Sequence, residues 1–189
     1  MNCNPFTKGH LYLVEQARKQ VDFLYIFVVE EDKSYFSFND RFAMAEKNCK
    51  RFDNVKVLPS GILMISSYTF AEYFDKDEIQ DEKISATTDV NIFGNYIAPF
   101  FRIKKRFVGT EPFDNVTRQY NETMKMCLLD FGVELIEIER LKNDSQNRPV
   151  SATDVRYAIE LGDDNTLRAL LPKESYDYLR AHNLLRNDR

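Results

Sequence analysis

Four short stretches hold residue types that can do chemistry, and each suits a phosphate-rich ligand. The sharpest is Asn4-Pro-Phe-Thr-Lys-Gly-His10, which opens a helical pattern. Gly9 lets the backbone approach a triphosphate that a Cβ would hold away. The first turn of a helix supplies unpaired N–H groups and a partial positive charge. His10, one turn in, can donate to an oxygen on which charge develops at an α-phosphorus. A Thr-x-Gly-His tetrapeptide also arises by chance and then leaves only a packed histidine. The chain has one other histidine, His182, in a C-terminal helical stretch with no companion motif.

The second stretch, Lys33-Ser-Tyr-Phe-Ser-Phe-Asn-Asp-Arg41, follows an apolar run ending at Val29. A lysine at the carboxyl end of a sheet strand faces the crevice where ligands bind, so Lys33 can neutralise phosphate oxygens; beside Glu30, Glu31 and Asp32 it also reads as a solvated cation. Arg41 reads as a helix-surface or structural residue. In the third stretch, Arg106-Phe-Val-Gly-Thr-Glu-Pro112, Gly109 allows a base or ribose to approach and Glu111 can accept from ribose hydroxyls; a plain strand and turn fits equally well. Arg118, in the helix that follows, either reaches the nucleotide or covers its own surface. The fourth is Val150-Ser-Ala-Thr-Asp-Val-Arg156, where Ser151 or Thr153 caps a helix and offers hydroxyl and N–H donors. Arg156 brings a planar, permanently charged fork for β- and γ-phosphate oxygens. Alone this is a capped helix. Paired with the first stretch it becomes specific, because two helix starts can face one triphosphate.

Elements must carry these residues. Apolar spacing predicts a helix from Gly9 through Gln20, and Asp22–Val29 reads as a strand buried on both faces of a parallel sheet. Phe38–Cys49 reads as helix, Val55–Leu58 as strand, Lys104–Gly109 as strand, Val116–Leu129 as helix and Gly132–Ile138 as strand. From Ser151 onward everything is helical, with Gly162 and Pro172 as punctuation. Such alternation predicts an α/β protein with a Rossmann-like, doubly wound parallel sheet binding ligands at the carboxyl ends of its strands. Residues 60–98, with the acidic cluster Asp75–Glu78 and Asp81–Glu82, read as an inserted helical lobe or as a solvated loop. Only Met1–Cys3 precede the first motif, so the strand that should feed it is largely missing. The favoured explanation is that Met1 is an internal residue of a longer protein; the other is a sheet without its natural centre.

Composition narrows the function classes. With 189 residues the chain is the size of one domain, and 15 Phe and 10 Tyr supply a core. A net charge of −4 offers no general pull toward nucleic acid or anionic lipid, so any polyanion needs a local site. Cys3, Cys49 and Cys127 lack zinc or disulfide-framework spacing and suit a reducing cytosol. No apolar run approaches the roughly 18 residues of a membrane helix, and no leader opens the chain, which points to a cytoplasmic protein.

The blocks taken together resemble a known family. Asn4–His10 and Val150–Arg156 are similar to the HIGH and ISSTxxR signatures of the nucleotidylyltransferase superfamily. With Val29-Glu-Glu-Asp-Lys-Ser34, Asp89-Val-Asn-Ile-Phe93, Ile97-Ala-Pro99, Arg106–Pro112 and Thr117-Arg-Gln-Tyr-Asn121 added, the ordered set resembles the catalytic domain of the citrate lyase ligase family, over nearly the whole chain. The resemblance implies activation of acetate by ATP, with pyrophosphate leaving. The acetyl group then passes to the thiol of the phosphoribosyl-dephospho-CoA prosthetic group on the acyl carrier subunit of citrate lyase. It implies that Thr7 and His10 act on the α-phosphate and that Lys33 lies by the reacting phosphate. Phe6, Gly9, Gly109, Glu111 and Arg118 would line the nucleotide, and Ser151, Thr153 and Arg156 would hold the β/γ-phosphates. Mg²⁺ is expected with the triphosphate, without an identifiable protein ligand. The family's N-terminal, acetyltransferase-like domain is absent here, and Thr153 replaces a common serine while keeping the hydroxyl. Two other functions stay open: a free-standing nucleotidylyltransferase acting on a phosphorylated small molecule, and a nucleotide-binding relic without turnover.

Overall fold

The structure, a computed structural model, describes residues 1–30, 34–66, 69, 82–112, 114–143 and 148–185. Lys33 and most of the acidic cluster at Asp75–Asp81 fall outside them. The chain forms two compact units, Met1–Val28 with Ser34–Pro59 and Arg140–Arg189, and Val29–Lys33 with Ser60–Glu139.

In the first unit, helix α1 (Lys8–Ala17) leads into strand β1 (Leu24–Val28), helix α2 (Phe38–Cys49) and strand β2 (Val55–Pro59). β1 and β2 pair in parallel, Leu24 opposite Val55 and Val28 opposite Pro59, as expected of strands joined through a helix. Helix α2 buries Arg41, Met44, Ala45, Asn48 and Cys49, the i, i+3, i+4, i+7, i+8 stripe of a core-facing helix. After a short antiparallel ladder, β5 (Lys142–Asn143) with β6 (Arg148–Pro149), come α6 (Ala152–Leu161), α7 (Asp164–Leu170) and α8 (Lys173–Ala181). Gly162, at φ 67°, ends α6 in the left-handed conformation that glycine adopts without strain. Phe6, Val14, Val28, Phe36, Met44, Val155, Ile159, Leu171 and Leu179 form one buried cluster, so α1, α2, α6 and α8 share a core. Cys3 and Cys49 belong to it. Burial pushes the Cys3 thiol up to about 11 and Cys49 up to about 12, so both are protonated packing residues.

In the second unit, α3 (Glu82–Ile92) runs through a π-helical turn, Phe93–Ile97, into α4 (Ala98–Phe101). Gly94 lies under Phe131; a Cβ there would meet the ring at 2.3 Å, so only glycine fits. Strands β3 (Lys105–Gly109) and β4 (Glu134–Ile138) pair in parallel, Lys105 opposite Glu134, and are joined through α5 (Asn115–Cys127). Val90, Phe93, Val116, Tyr120, Met124 and Leu128 are buried within this unit.

The strands and helices read from the sequence recur with ends moved by one or two residues, except that α1 stops at Ala17 and a 3₁₀ turn, Arg18–Gln20, completes the stretch read as helix to Gln20. Polar Asp22 and exposed Phe23 precede β1 instead of extending it. Among the described residues the parallel strands form two pairs, β1–β2 and β3–β4. The lobe expected at 60–98 lies in the second unit, which continues to Glu139. No helix of the described residues is long and apolar enough to cross a membrane.

Candidate functional site

The start of α1 is a capping box with histidine in the place usually held by Glu or Gln. The Thr7 hydroxyl accepts from the His10 backbone N–H at 3.4 Å, and the Thr7 N–H donates to His10 Nδ1 at 3.0 Å. An Nδ1 that accepts leaves the proton of a neutral imidazole on Nε2. The ring is held in that neutral form. Burial pushes its pKa down from 6.5 to about 3, and Arg140 pushes the same way. His10 is therefore a neutral N–H donor whose other nitrogen is fixed by its own helix cap. The buried Phe6 ring lies 5.6 Å from it.

The path of the chain before Thr7 is set from two sides. Arg41, completely buried, donates Nε to the Phe36 carbonyl at 3.1 Å and Nη1 to the carbonyl and the side-chain oxygen of Asn2, at 2.9 and 3.0 Å. Asn4 Oδ1 accepts from the Phe36 N–H at 3.0 Å, and Asn4 O accepts from Arg156 Nη1 at 2.7 Å. Lys8 donates to the Arg168 and Ala169 carbonyls at 2.9 and 2.7 Å, satisfying the last turn of α7.

The start of α6 lies against the start of α1. A Cβ built on Gly9 would sit 3.4 Å from the Val150 carbonyl oxygen and 3.5 Å from Val150 Cβ. Val150 immediately precedes Ser151, whose hydroxyl caps α6 by accepting from the Thr153 N–H at 3.1 Å. Arg156, one turn further on, donates Nη2 to Thr153 Oγ1 at 2.9 Å while Nη1 holds Asn4. One guanidinium thus ties the two helix starts together. Burial lowers the Arg156 pKa from its ordinary value, which still leaves the group charged near neutrality. This unit brings together Thr7, Gly9, His10, Ser151, Thr153 and Arg156: two capped helix N-termini, a neutral imidazole donor and a guanidinium, which is an arrangement for anionic oxygens.

Gly109, Glu111 and Arg118 belong to the second unit. Gly109 ends β3, and its carbonyl accepts from Asn121 Nδ2 at 3.1 Å. Glu111 Oε1 accepts from the Asp114 N–H at 3.2 Å, so the carboxylate braces the turn before α5. Arg118 is exposed and donates to Asn115 Oδ1 at 2.5 Å. Sequence reasoning gave no role to Asn2, Asn4 or Asn121, and gave Arg41 no part in the loop before Thr7. Asn4 stood inside a quoted motif; only the fold places Asn2 on Arg41. Among the described residues no group of three or more His, Cys, Asp or Glu side chains forms a metal cradle. Mg²⁺ ordinarily keeps several waters and travels on substrate phosphates, which suits a site whose own groups are cationic or neutral donors.

The architecture matches solved structures. Thermotoga maritima TmcAL bound with alpha-thio ATP has a TM-score of 0.56 at 14% identity, covering 97% of this chain and 54% of that one. Plasmodium falciparum nicotinic acid mononucleotide adenylyltransferase complexed with APC gives 0.56 at 12%, covering 98% and 94%. The fold is thus of the Rossmann-like α/β type found in nucleotidylyltransferases. Citrate [pro-3S]-lyase ligases from Klebsiella pneumoniae and Escherichia coli K12 are each 39% identical, over 95% and 100% of this chain and 53% and 54% of their own lengths. The model of the citrate lyase ligase C-terminal domain matches residues 1–179, and the chain belongs to that family. It spans about half the length of the curated relatives it matches.

Proposed function

We propose that this chain carries the nucleotide chemistry of an ATP-dependent acid–thiol ligase. Acetate attacks the α-phosphorus of ATP and displaces pyrophosphate. The acetyl-adenylate then gives its acetyl group to the prosthetic-group thiol of the citrate lyase acyl carrier subunit, and AMP leaves. The carboxylate is already a nucleophile, so the protein's task is alignment and charge stabilisation. Thr7 and His10 act at the α-phosphate. His10 is suited to this as a neutral Nε2 donor, able to stabilise developing charge without giving up its proton. Gly9 and the amides of α1 take the phosphates from one side; Ser151, Thr153 and Arg156 hold the β/γ-phosphates from the other. Lys33 neutralises the reacting phosphate, and Phe6, Gly109, Glu111 and Arg118 line the nucleoside. Mg²⁺ accompanies the triphosphate and screens its charge.

The observation that carries this reading is the contact of Gly9 with Val150, which sets the two helix starts side by side. The family supports the substrates. The test is acetate-dependent exchange of labelled pyrophosphate into ATP by the purified chain with Mg²⁺. His10→Ala is expected to slow exchange about 10²–10³-fold, as for other preorganised donors, and to cost about 1–3 kcal/mol of stability by leaving the buried Thr7 N–H without its acceptor. ATP binding without any acetate-dependent exchange would leave a nucleotide-binding relic instead. AMP retained covalently in a dinucleotide-like product would point to the free-standing nucleotidylyltransferase.

A further inference from the structure

Arg106, on β3, has a guanidinium fixed from several directions. Its Nη2 donates to the Tyr120 hydroxyl at 2.8 Å, and that hydroxyl donates to Asp89 Oδ2. Asp89 is fully buried, and its other oxygen accepts from the Ile65 N–H at 2.6 Å and from Thr69 Oγ1 at 3.1 Å. The Phe93 ring lies 4.2 Å from the guanidinium carbon and the Tyr120 ring 5.6 Å away. These contacts lock the plane of the cation, yet Nη1 is buried with no hydrogen-bond partner. A charged N–H group left unpaired inside a protein is costly, and such an orphan asks for an acceptor from outside the chain.

We infer that Arg106 is the receptor for the carboxylate of the small acid substrate, Nη1 donating to one carboxylate oxygen. This rests on the acid-activating function proposed above. The geometry favours a carboxylate over a phosphate. Tyr120 already occupies Nη2, so Nη1 offers the ligand a single prong. Asp89, one hydroxyl away, opposes a second negative charge. Nothing in the motif reading assigned a residue to the acid, and Arg106 supplies one.

The test compares wild type with Arg106→Gln, reading the acetate KM in pyrophosphate exchange, ATP affinity by calorimetry, and binding of ¹³C-acetate by line broadening. Arg106→Gln is expected to raise the acetate KM at least tenfold and to abolish acetate broadening, with ATP affinity within twofold of wild type. A wild-type acetate KM in that variant means that Nη1 meets only a buried water, which overturns the assignment and leaves the ligase reading standing. Should wild type show no acetate-dependent exchange, the ligase reading fails; broadening of acetate by wild type but not by Arg106→Gln would then still uphold the carboxylate site, and equal broadening, or none, would end it. If Arg106→Gln does not fold, Tyr120→Phe serves. It releases the guanidinium plane while keeping the charge, and should raise the acetate KM two- to tenfold without moving ATP affinity; an unchanged acetate KM counts against the site.

Discussion

Gly9 has no structural reason to be glycine. It sits in the first turn of α1, outside the left-handed region. The nearest atoms to a Cβ there, Thr7 Oγ1 and the Val150 carbonyl oxygen, would be at 3.4 Å, ordinary contact distance. Alanine is favoured over glycine within a helix by about 1 kcal/mol. Gly9→Ala should therefore keep or raise the thermal midpoint while lowering ATP affinity tenfold or more, measured by scanning fluorimetry and calorimetry. Unchanged affinity would remove Gly9 from the phosphate site. His10 makes a second prediction, on pH. Its pKa is depressed in the fold, from 6.5 to about 3, so the unfolded chain binds more protons in that interval. The stabilisation is complete above pH 6.5 and is lost as pH falls toward 3. His10→Gln keeps an acceptor for the Thr7 N–H and cannot titrate, so urea unfolding of that variant should lose less stability across the same interval. Equal slopes would mean that His10 protonates in the fold much as it does in the unfolded chain.

At the scale of elements, the loop from Asn2 to Thr7 depends on α2 as much as on α1. Arg41 is the largest of the fully buried side chains, and it makes hydrogen bonds to Phe36 and twice to Asn2. Hydrogen bonds from a charged group contribute roughly 1.5–3 kcal/mol each, partly offset by the cost of burying the charge. Arg41→Met should thus lower unfolding stability by about 3 kcal/mol, read as a shift of the urea midpoint with an unchanged slope. A loss below about 1 kcal/mol would show that the loop keeps its path without the guanidinium. The helices and strands themselves were legible because their signals are local. The run Leu24-Tyr-Ile-Phe-Val28 carries strand-forming residue types within itself, and Ser151 before Ala152–Leu161 is a plain cap. The pairing of α1 with α6 was legible only as chemistry, two phosphate-type helix starts in one chain. Arg41 was read as surface or structural because an arginine in a helix usually reaches solvent; its burial comes from carbonyls that only the fold places around it. Asp89, Arg106 and Tyr120 each stood in a quoted block, but on three different elements their spacing gave no sign of a shared network. Glu111 looked like a ribose acceptor by type, and its hydrogen bond to the turn before α5 depends on backbone geometry that spacing does not reveal.

At the scale of the whole molecule, the chain carries a net charge of −4, yet the function proposed for it requires a polyanion. Long-range steering cannot supply that affinity, so it must come from oriented donors at short range. Those donors lie near the two ends of the sequence, at Thr7–His10 and Ser151–Arg156, within a unit assembled from three separate stretches. A ligand held by both ends adds its binding free energy to the closure of that unit, about 2.7 kcal/mol at a hundredfold excess over Kd. Hydrogen exchange makes the prediction specific. Saturating Mg-ATP should slow exchange of the amides in the first turns of α1 and α6 together, because both sets lack acceptors within their own helices. Protection confined to one of them would mean that the helix starts, although adjacent, do not share one triphosphate. Protection of both, lost together in Arg156→Lys, would assign the bridge to the planar fork, because a lysine cannot reach Asn4 and Thr153 with the same geometry.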